Sequence, residues 1–179
     1  MSRAILSLGS NLGDRVKHLR RAVELLGDRV LLASGIYETP PWFGDTAPRE
    51  DPPYLNGVLM VVDPKNGPGD WLALARRCEE DAGRTRDPER HFAPRTLDVD
   101  VIEVYDADDQ PVISDDPELT LPHPRAHLRA FVLKPWLDIQ PYARLTGHGW
   151  LTDLLNQPGL AADAEAMSPH PDLALLLEP

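Results

Sequence analysis

Two carboxylates, Asp98 and Asp100, stand two positions apart in the run Pro94-Arg-Thr-Leu-Asp-Val-Asp-Val-Ile102. A strand repeats its side-chain direction every two residues, so both aspartates face one side while Leu97, Val99 and Val101 face the other. Like charges held this close repel each other and resist burial, and a bound divalent cation relieves both costs. Carboxylate oxygens completed by phosphate oxygens suit magnesium. The alternative is the solvent side of an edge strand, where Asp-x-Asp carries no chemistry. Just upstream, Arg84, Arg86, Arg90 and Arg95 crowd into one short segment of a chain whose formal net charge is -11. Guanidinium forks bind phosphate oxygens in pairs, so this segment suits a polyphosphate carried with its metal. A solvated loop pairing its arginines with Asp87 and Glu89 accounts for the same composition.

The elements that must position these groups follow from periodicity. Ala4 to Leu8 reads as a short apolar strand, and Gly9-Ser-Asn-Leu-Gly-Asp14 as a turn leading into a helix cap. That turn lacks the spacing of a nucleotide fingerprint, which favours a tight turn over an anion cradle. Val16, Leu19, Val23 and Leu26 recur at helical spacing up to Gly27. Val30 to Glu38 reads as one strand, stopped by Thr39-Pro-Pro-Trp42. Phe43 to Pro53 is long enough for a mobile flap. Tyr54 to Val62 is apolar on both faces, as in a strand covered on both sides. Asn56 inside it needs hydrogen-bond partners, from the protein or from a ligand with ring nitrogens and amides.

A helix opens at Gly67-Pro-Gly-Asp70, with Asp70 as its cap. Its core stripe is Trp71, Leu74, Ala75, Cys78 and Ala82. The aspartate strand runs to Tyr105, and Pro111 to Ser114 suggests a short extra strand. Pro122 and Pro124 hold His123 extended, as a phosphate donor, a proton carrier or a structural imidazole. His127 and Arg129 fall beside a helical turn, an apolar helix follows from Ala130, and Trp150 to Leu155 reads as a last short helix. From Pro158 onward there are four carboxylates and no Lys or Arg. Composition there predicts an acidic, flexible or loosely docked tail, residues 158–179, after a domain of residues 1–157; Leu173 to Leu177 could pack back on that domain. The order β-α-β-β-α-β followed by helices predicts an α+β fold: a ferredoxin-like antiparallel sheet with helices on both faces, in three layers.

With 179 residues, 42% apolar and 26% charged, the chain is expected to form one soluble domain. Its acidity argues against nucleic acid or an anionic membrane as partner. No apolar run approaches the length of a membrane span, and Ser7, Gly9, Ser10 and Asn11 interrupt any signal-peptide core. One cysteine, Cys78, excludes an internal disulfide and fits a reducing cytoplasm.

Several motifs occur in fixed order: Ser7-Leu-Gly-Ser-Asn-Leu-Gly-Asp14, Tyr37-Glu-Thr-Pro-Pro41, Tyr54-Leu-Asn56, Gly83-Arg-Thr-Arg86, Pro94-Arg-Thr-Leu-Asp-Val-Asp100, Leu121-Pro-His-Pro124 and Arg129-Ala-Phe131. Together, over residues 4–141, the chain resembles the hydroxymethyl-dihydropterin pyrophosphokinases of folate biosynthesis. The resemblance implies transfer of pyrophosphate from ATP, as co-substrate, to the pterin hydroxymethyl group, with release of AMP. It implies two Mg2+ ions on Asp98 and Asp100, and ATP phosphates on Arg84 and Arg95, with Arg86, Arg90, His123 and Arg129 on the same side. For the pterin it implies a slot between aromatic rings, Phe131 and either Phe92 or His91, with Asn56 on the pterin edge and Thr39, Pro40, Trp42 and Tyr54 around it. Pro124 and Glu118 depart from a well-known member, which leaves the adenosine contacts open. Small-molecule substrates, a monomer, no nucleic acid, no membrane and no second fused folate enzyme are expected. A metal-dependent phosphohydrolase or a non-catalytic nucleotide-binding module would share the aspartates and arginines.

Overall fold

The apolar stretch at the N-terminus becomes the centre of the molecule. In a computed structural model, which describes residues 1–44, 48, 50–85 and 93–176, the chain runs through β1 (Ser2–Ser10), α1 (Arg15–Leu26), β2 (Val30–Ala33), β3 (Gly35–Thr39), β4 (Tyr54–Asp63), α2 (Pro68–Asp81) and β5 (Asp98–Tyr105). It continues through β6 (Ser114–Asp116), β7 (Leu119–Leu121), α3 (Ala130–Ile139), β8 (Arg144–Leu145), β9 (Gly149–Trp150), α4 (Leu151–Leu155), α5 (Pro158–Glu165) and β10 (Ser168–Ala174). The main sheet has the order β10-β3-β4-β1-β5, with β2 also on β4, and all its pairs are antiparallel. Two helical crossovers and the central β1–β4 pair give the ferredoxin-like arrangement, extended at one edge by β10.

Alternation along the central strands divides the core in two. Ala4, Leu6 and Leu8 of β1, with Leu55, Leu59 and Val61 of β4, bury against α1 and α2. Ile5, Val58 and Met60 point the other way and bury against α3, α4 and α5. Each fully buried Leu or Ile contributes roughly 1.5–3 kcal/mol of hydrophobic stabilisation, so both faces hold the sheet. In β5 the register slips: Ile5 opposes Glu103 while Leu6 opposes Val101. This bulge lets Ile102 join the α3 side and Val104 the α1–α2 side, re-phasing the strand just beyond the aspartates.

Local chemistry sets the helix ends. The Asp14 carboxylate accepts from Lys17 N at 3.1 Å, capping α1, and Gly27 ends it with φ 57. The cap of α2 is Gly67 rather than Asp70: the Asp70 carboxylate reaches back to Gly67 N at 2.7 Å. Trp71, fully buried, donates its indole N–H to Ser2 Oγ at 2.9 Å.

Four expectations are revised. The strand expected over Val30 to Glu38 is two, β2 and β3, broken at Ser34, whose hydroxyl accepts from Val58 N at 2.8 Å. The short strand after the β5 turn is β6, with Pro111 making only an isolated bridge to Tyr105. The helix ending at Leu155 is not the last. The segment expected as a loose tail from Pro158 forms α5 and β10, and Leu160, Met167 and Leu175 are buried. Charge composition misled there, because three of its apolar side chains, Leu160, Met167 and Leu175, are enough to dock the segment on the body.

Candidate active site

Because Asp98 and Asp100 share a face with Asn56 of β4 and Gly9 of β1, the sheet itself lays out the site. Gly9 pairs with Asn56 on one side and Asp98 on the other. A Cβ at Gly9 would come within 3.3 Å of Asn56 Oδ1 and 3.4 Å of the Tyr54 ring, so glycine keeps this floor open. Above it lies a cavity of about 750 Å³, beside the start of α3.

The cavity gathers the described candidates at three stations. Thr39, Pro40, Trp42, Tyr54, Asn56 and Phe131 line one end. Arg84, Arg95, Asp98, Asp100, His123 and Arg129 line the middle. A bay next to α2 and the β6–β7 turn forms the other end. Arg86, Arg90, His91 and Phe92 lie outside the described residues.

At the centre, each Asp98 oxygen has its own guanidinium: Arg84 reaches Oδ1 at 2.6 Å and Arg95 reaches Oδ2 at 3.0 Å. Burial works to raise this carboxyl, but Arg95, Arg84 and Arg129 together outweigh it and hold it below the usual carboxylate value. Asp100 Oδ2 accepts from Arg129 at 2.7 Å and lies 3.7 Å from His123 Nε2. His123 Nδ1 accepts from Arg125 N at 3.2 Å, so its proton sits on Nε2, toward Asp100. Burial, against the pull of Asp100, pushes the imidazole pKa down and favours this neutral form.

Arg129, at the start of α3, is 7% exposed, and its guanidinium carbon lies 5.1 Å from the Trp42 ring and 5.6 Å from the Phe131 ring. Its Nε is buried without a hydrogen-bond partner among the described residues. Such an unmet donor on a cavity wall marks a place for a ligand acceptor. Asn56 Nδ2 donates to Thr39 Oγ1 at 2.7 Å, which answers part of its need from the protein.

Two residues that sequence reasoning passed over hold the arginines. Glu79, buried on α2, pairs with Arg84 and accepts from Val99 N at 3.0 Å, joining helix, arginine and aspartate strand. Its signal was a glutamate beside the apolar stripe of α2. Asn11 exchanges two bonds with Arg95: its N donates to Arg95 O at 3.1 Å and its Oδ1 accepts from Arg95 N at 2.8 Å. Its Nδ2 also donates to Pro52 O at 3.0 Å. The turn Gly9-Ser10-Asn11 is therefore a clamp on two loops; nothing local in the sequence points to partners 84 and 41 positions away.

Among the described residues no cluster of three or more His, Cys, Asp or Glu side chains forms a metal cage. Two carboxylates on one strand face still fit magnesium, which takes one or two carboxylates and completes its shell with water and substrate phosphates.

The fold and this charge arrangement define a class, the α+β proteins that carry a carboxylate-and-arginine cluster on an antiparallel sheet. The comparisons narrow it. The profile of 7,8-dihydro-6-hydroxymethylpterin-pyrophosphokinase (HPPK) matches residues 5–141, and the chain belongs to that family. Proteins named 2-amino-4-hydroxy-6-hydroxymethyldihydropteridine pyrophosphokinase are similar to it. That of Mycobacterium tuberculosis is 45% identical over 153 residues, 83% of this chain and 78% of the relative. That of Methylorubrum extorquens is 39% identical over 145 residues, 79% and 84% of the two chains. In fold, the chain is similar to wild-type HPPK-DHPS of Plasmodium falciparum, at TM-score 0.63 and 12% identity. That likeness covers 94% of this chain but only 47% of the larger one, and it bears on the fold alone.

Proposed function

We propose that this chain transfers the pyrophosphoryl group of ATP to the hydroxymethyl oxygen of 6-hydroxymethyl-7,8-dihydropterin, releasing AMP. A bond forms between that oxygen and the β-phosphorus, the bond from the β-phosphorus to the α–β bridging oxygen breaks with its electron pair staying on the AMP phosphate, and the hydroxyl proton passes to solvent water. The carrying observation is one cavity with the Asp98–Asp100 pair and its arginines at the middle, and Asn56, Thr39 and aromatic rings at one end. Transfer of this kind needs positioning and charge neutralisation more than a strong base.

The pterin would lie at the Asn56 end, its amide edge toward Asn56 and Thr39 and its faces toward rings including Phe131. The phosphates would lie against Arg84, Arg95, Arg129 and His123, with Arg129 Nε free to donate. The three arginines that touch the aspartates are matched by three carboxylates, Asp98, Asp100 and Glu79. A triphosphate therefore gains little net positive charge from this cluster, which favours its arrival with its own counter-ions. Asp98 and Asp100 would hold two magnesium ions, and these supply Lewis-acid neutralisation of the phosphate oxygens. The protein is read as a monomer acting in the cytoplasm, a reducing compartment that its single cysteine suits. No helix among the described residues is long and apolar enough to cross a membrane.

The test is AMP release from magnesium ATP with and without the pterin alcohol. Pterin-dependent AMP is expected, reduced by at least about 100-fold in Asp98→Ala. Orthophosphate release without pterin, or AMP release that survives Asp98→Ala, overturns the reading.

A further inference from the structure

Asp98 and Asp100 share a face of β5 but not a setting. Asp98 has both carboxylate oxygens fixed, by Arg84 and Arg95, and its neighbour across the β1–β5 ladder is Gly9, which brings no side chain. Asp100 is held at one oxygen. Arg129 reaches its Oδ2 at 2.7 Å and His123 Nε2 faces the same oxygen at 3.7 Å. Its Oδ1 has no hydrogen bond among the described residues. The residue across the ladder from Asp100 is Ser7. Ser7 is 6% exposed and lines the cavity, as Asp100 does. Its hydroxyl also has no hydrogen bond among the described residues.

Opposed side chains on one face of an antiparallel pair have Cβ atoms roughly 4.5–5.5 Å apart. A serine hydroxyl and a carboxylate so placed meet after a turn about χ1. Packing gives no reason for a hydroxyl at this position, because Val58, the neighbour of Ser7 on the other side, is apolar and fully buried. An unmet hydroxyl beside an unmet carboxylate oxygen points to a bond made in the loaded site. We propose that Ser7 is a positioning residue for Asp100: its hydroxyl donates to the Asp100 carboxylate when Arg129 turns to the nucleotide's phosphates, and so keeps that carboxylate aimed at its ion. This rests on the magnesium and nucleotide roles assigned to the cavity. Groups that hold a metal-ligating side chain from behind set its orientation, and their loss weakens the metal.

The experiment titrates Mn2+, a spectroscopic stand-in for magnesium, into the full chain with α,β-methylene-ATP bound, a nucleotide that cannot release AMP. Free Mn2+ is followed by electron paramagnetic resonance. Wild type is expected to take up an ion beyond the one the nucleotide carries. Ser7→Ala is expected to weaken that ion by about 5-fold or more, and Ser7→Thr, which keeps the hydroxyl, to stay within about 2-fold of wild type. Nucleotide affinity in a chelator, without metal, is expected to change less than about 2-fold in Ser7→Ala, which a general distortion of the site would not allow. No further ion in wild type, a constant unchanged by Ser7→Ala, an equal loss in Ser7→Thr, or an equal loss of metal-free nucleotide affinity overturns the assignment. Pterin-dependent AMP release from ATP on the same preparations separates the two readings. Weakened Mn2+ in Ser7→Ala without AMP release in wild type keeps Ser7 and removes the transferase; AMP release with Mn2+ unmoved does the reverse.

Discussion

Arg84 stands between two carboxylates, Glu79 and Asp98, with its side chain 12% exposed. It can lend charge to a ligand without losing its anchor, because Glu79 keeps it when Asp98 turns to another partner. Glu79→Ala removes that anchor and leaves Val99 N without its acceptor. Breaking one side of a buried pair is costly, so a loss of about 3 kcal/mol in urea unfolding is expected, with weaker ATP binding by titration. A second prediction concerns pH. His127 stacks on His148 with centroids 4.0 Å apart, and burial, then His148, push its pKa below the ordinary 6.5. The unfolded chain takes up this proton first. Stability is therefore complete above pH 6.5 and falls as pH drops through the lowered folded value. His123, lowered by burial, adds in the same direction. Thermal melts between about pH 7.5 and 5.5 should show the decline, shallower in His148→Ala; an equal slope in that variant removes the stack from the account. At this scale the sequence was readable where period alone decides direction, as for Asp98, Asp100 and Asn56. It was silent on Asn11 and Glu79, whose meaning lies in contacts made across the fold.

At the scale of elements, β10 is where reading and structure part. Ser168-Pro-His-Pro-Asp-Leu-Ala174 carries two prolines and no continuous apolar face, and prolines fit a strand only at a sheet edge. What makes it a strand is the open edge of β3 and a hollow over β4. At Gly57 an added Cβ would meet Leu175 Cδ1 at 2.6 Å. Gly57 thus marks the seat of a residue more than a hundred positions away, and its lack of a side chain looks from sequence like any strand glycine. Gly57→Ala should overpack this seat and cost about 1–3 kcal/mol. Hydrogen exchange should show the loss concentrated in β10 and β3; even loss across the sheet would count against Leu175 as the cause. The break at Ser34 and the bulge in β5 were hidden for the same reason: each is set by a partner strand.

The whole molecule is a sheet covered on both faces, and the second cover is completed late in the chain. Leu160 of α5, and Met167, belong to the α3-side core, and Leu175 to the α1-side core. Ending the chain at Gln157 would withdraw all three. At 1.5–3 kcal/mol for each large apolar side chain, the expected loss is roughly 5 kcal/mol, seen as a lower melting temperature and binding of an apolar dye. A truncated chain that melts like the full one would return residues 158–176 to the status of a tail. The ferredoxin-like order was readable because six elements in sequence leave few ways to pair; the end was not, because few apolar residues there do most of the docking.

Cys78, the single cysteine, is 2% exposed beneath α1, and burial first, then Asp81 and Glu79, push its thiol up to about 11. At neutral pH it stays protonated and shielded from alkylating reagents. The wild-type protein therefore comes with a chemically quiet background for labelling. A thiol placed by Glu50→Cys, at an exposed position ahead of β4, would take a maleimide dye at one site, and its emission would report changes around that position as nucleotide and pterin are added.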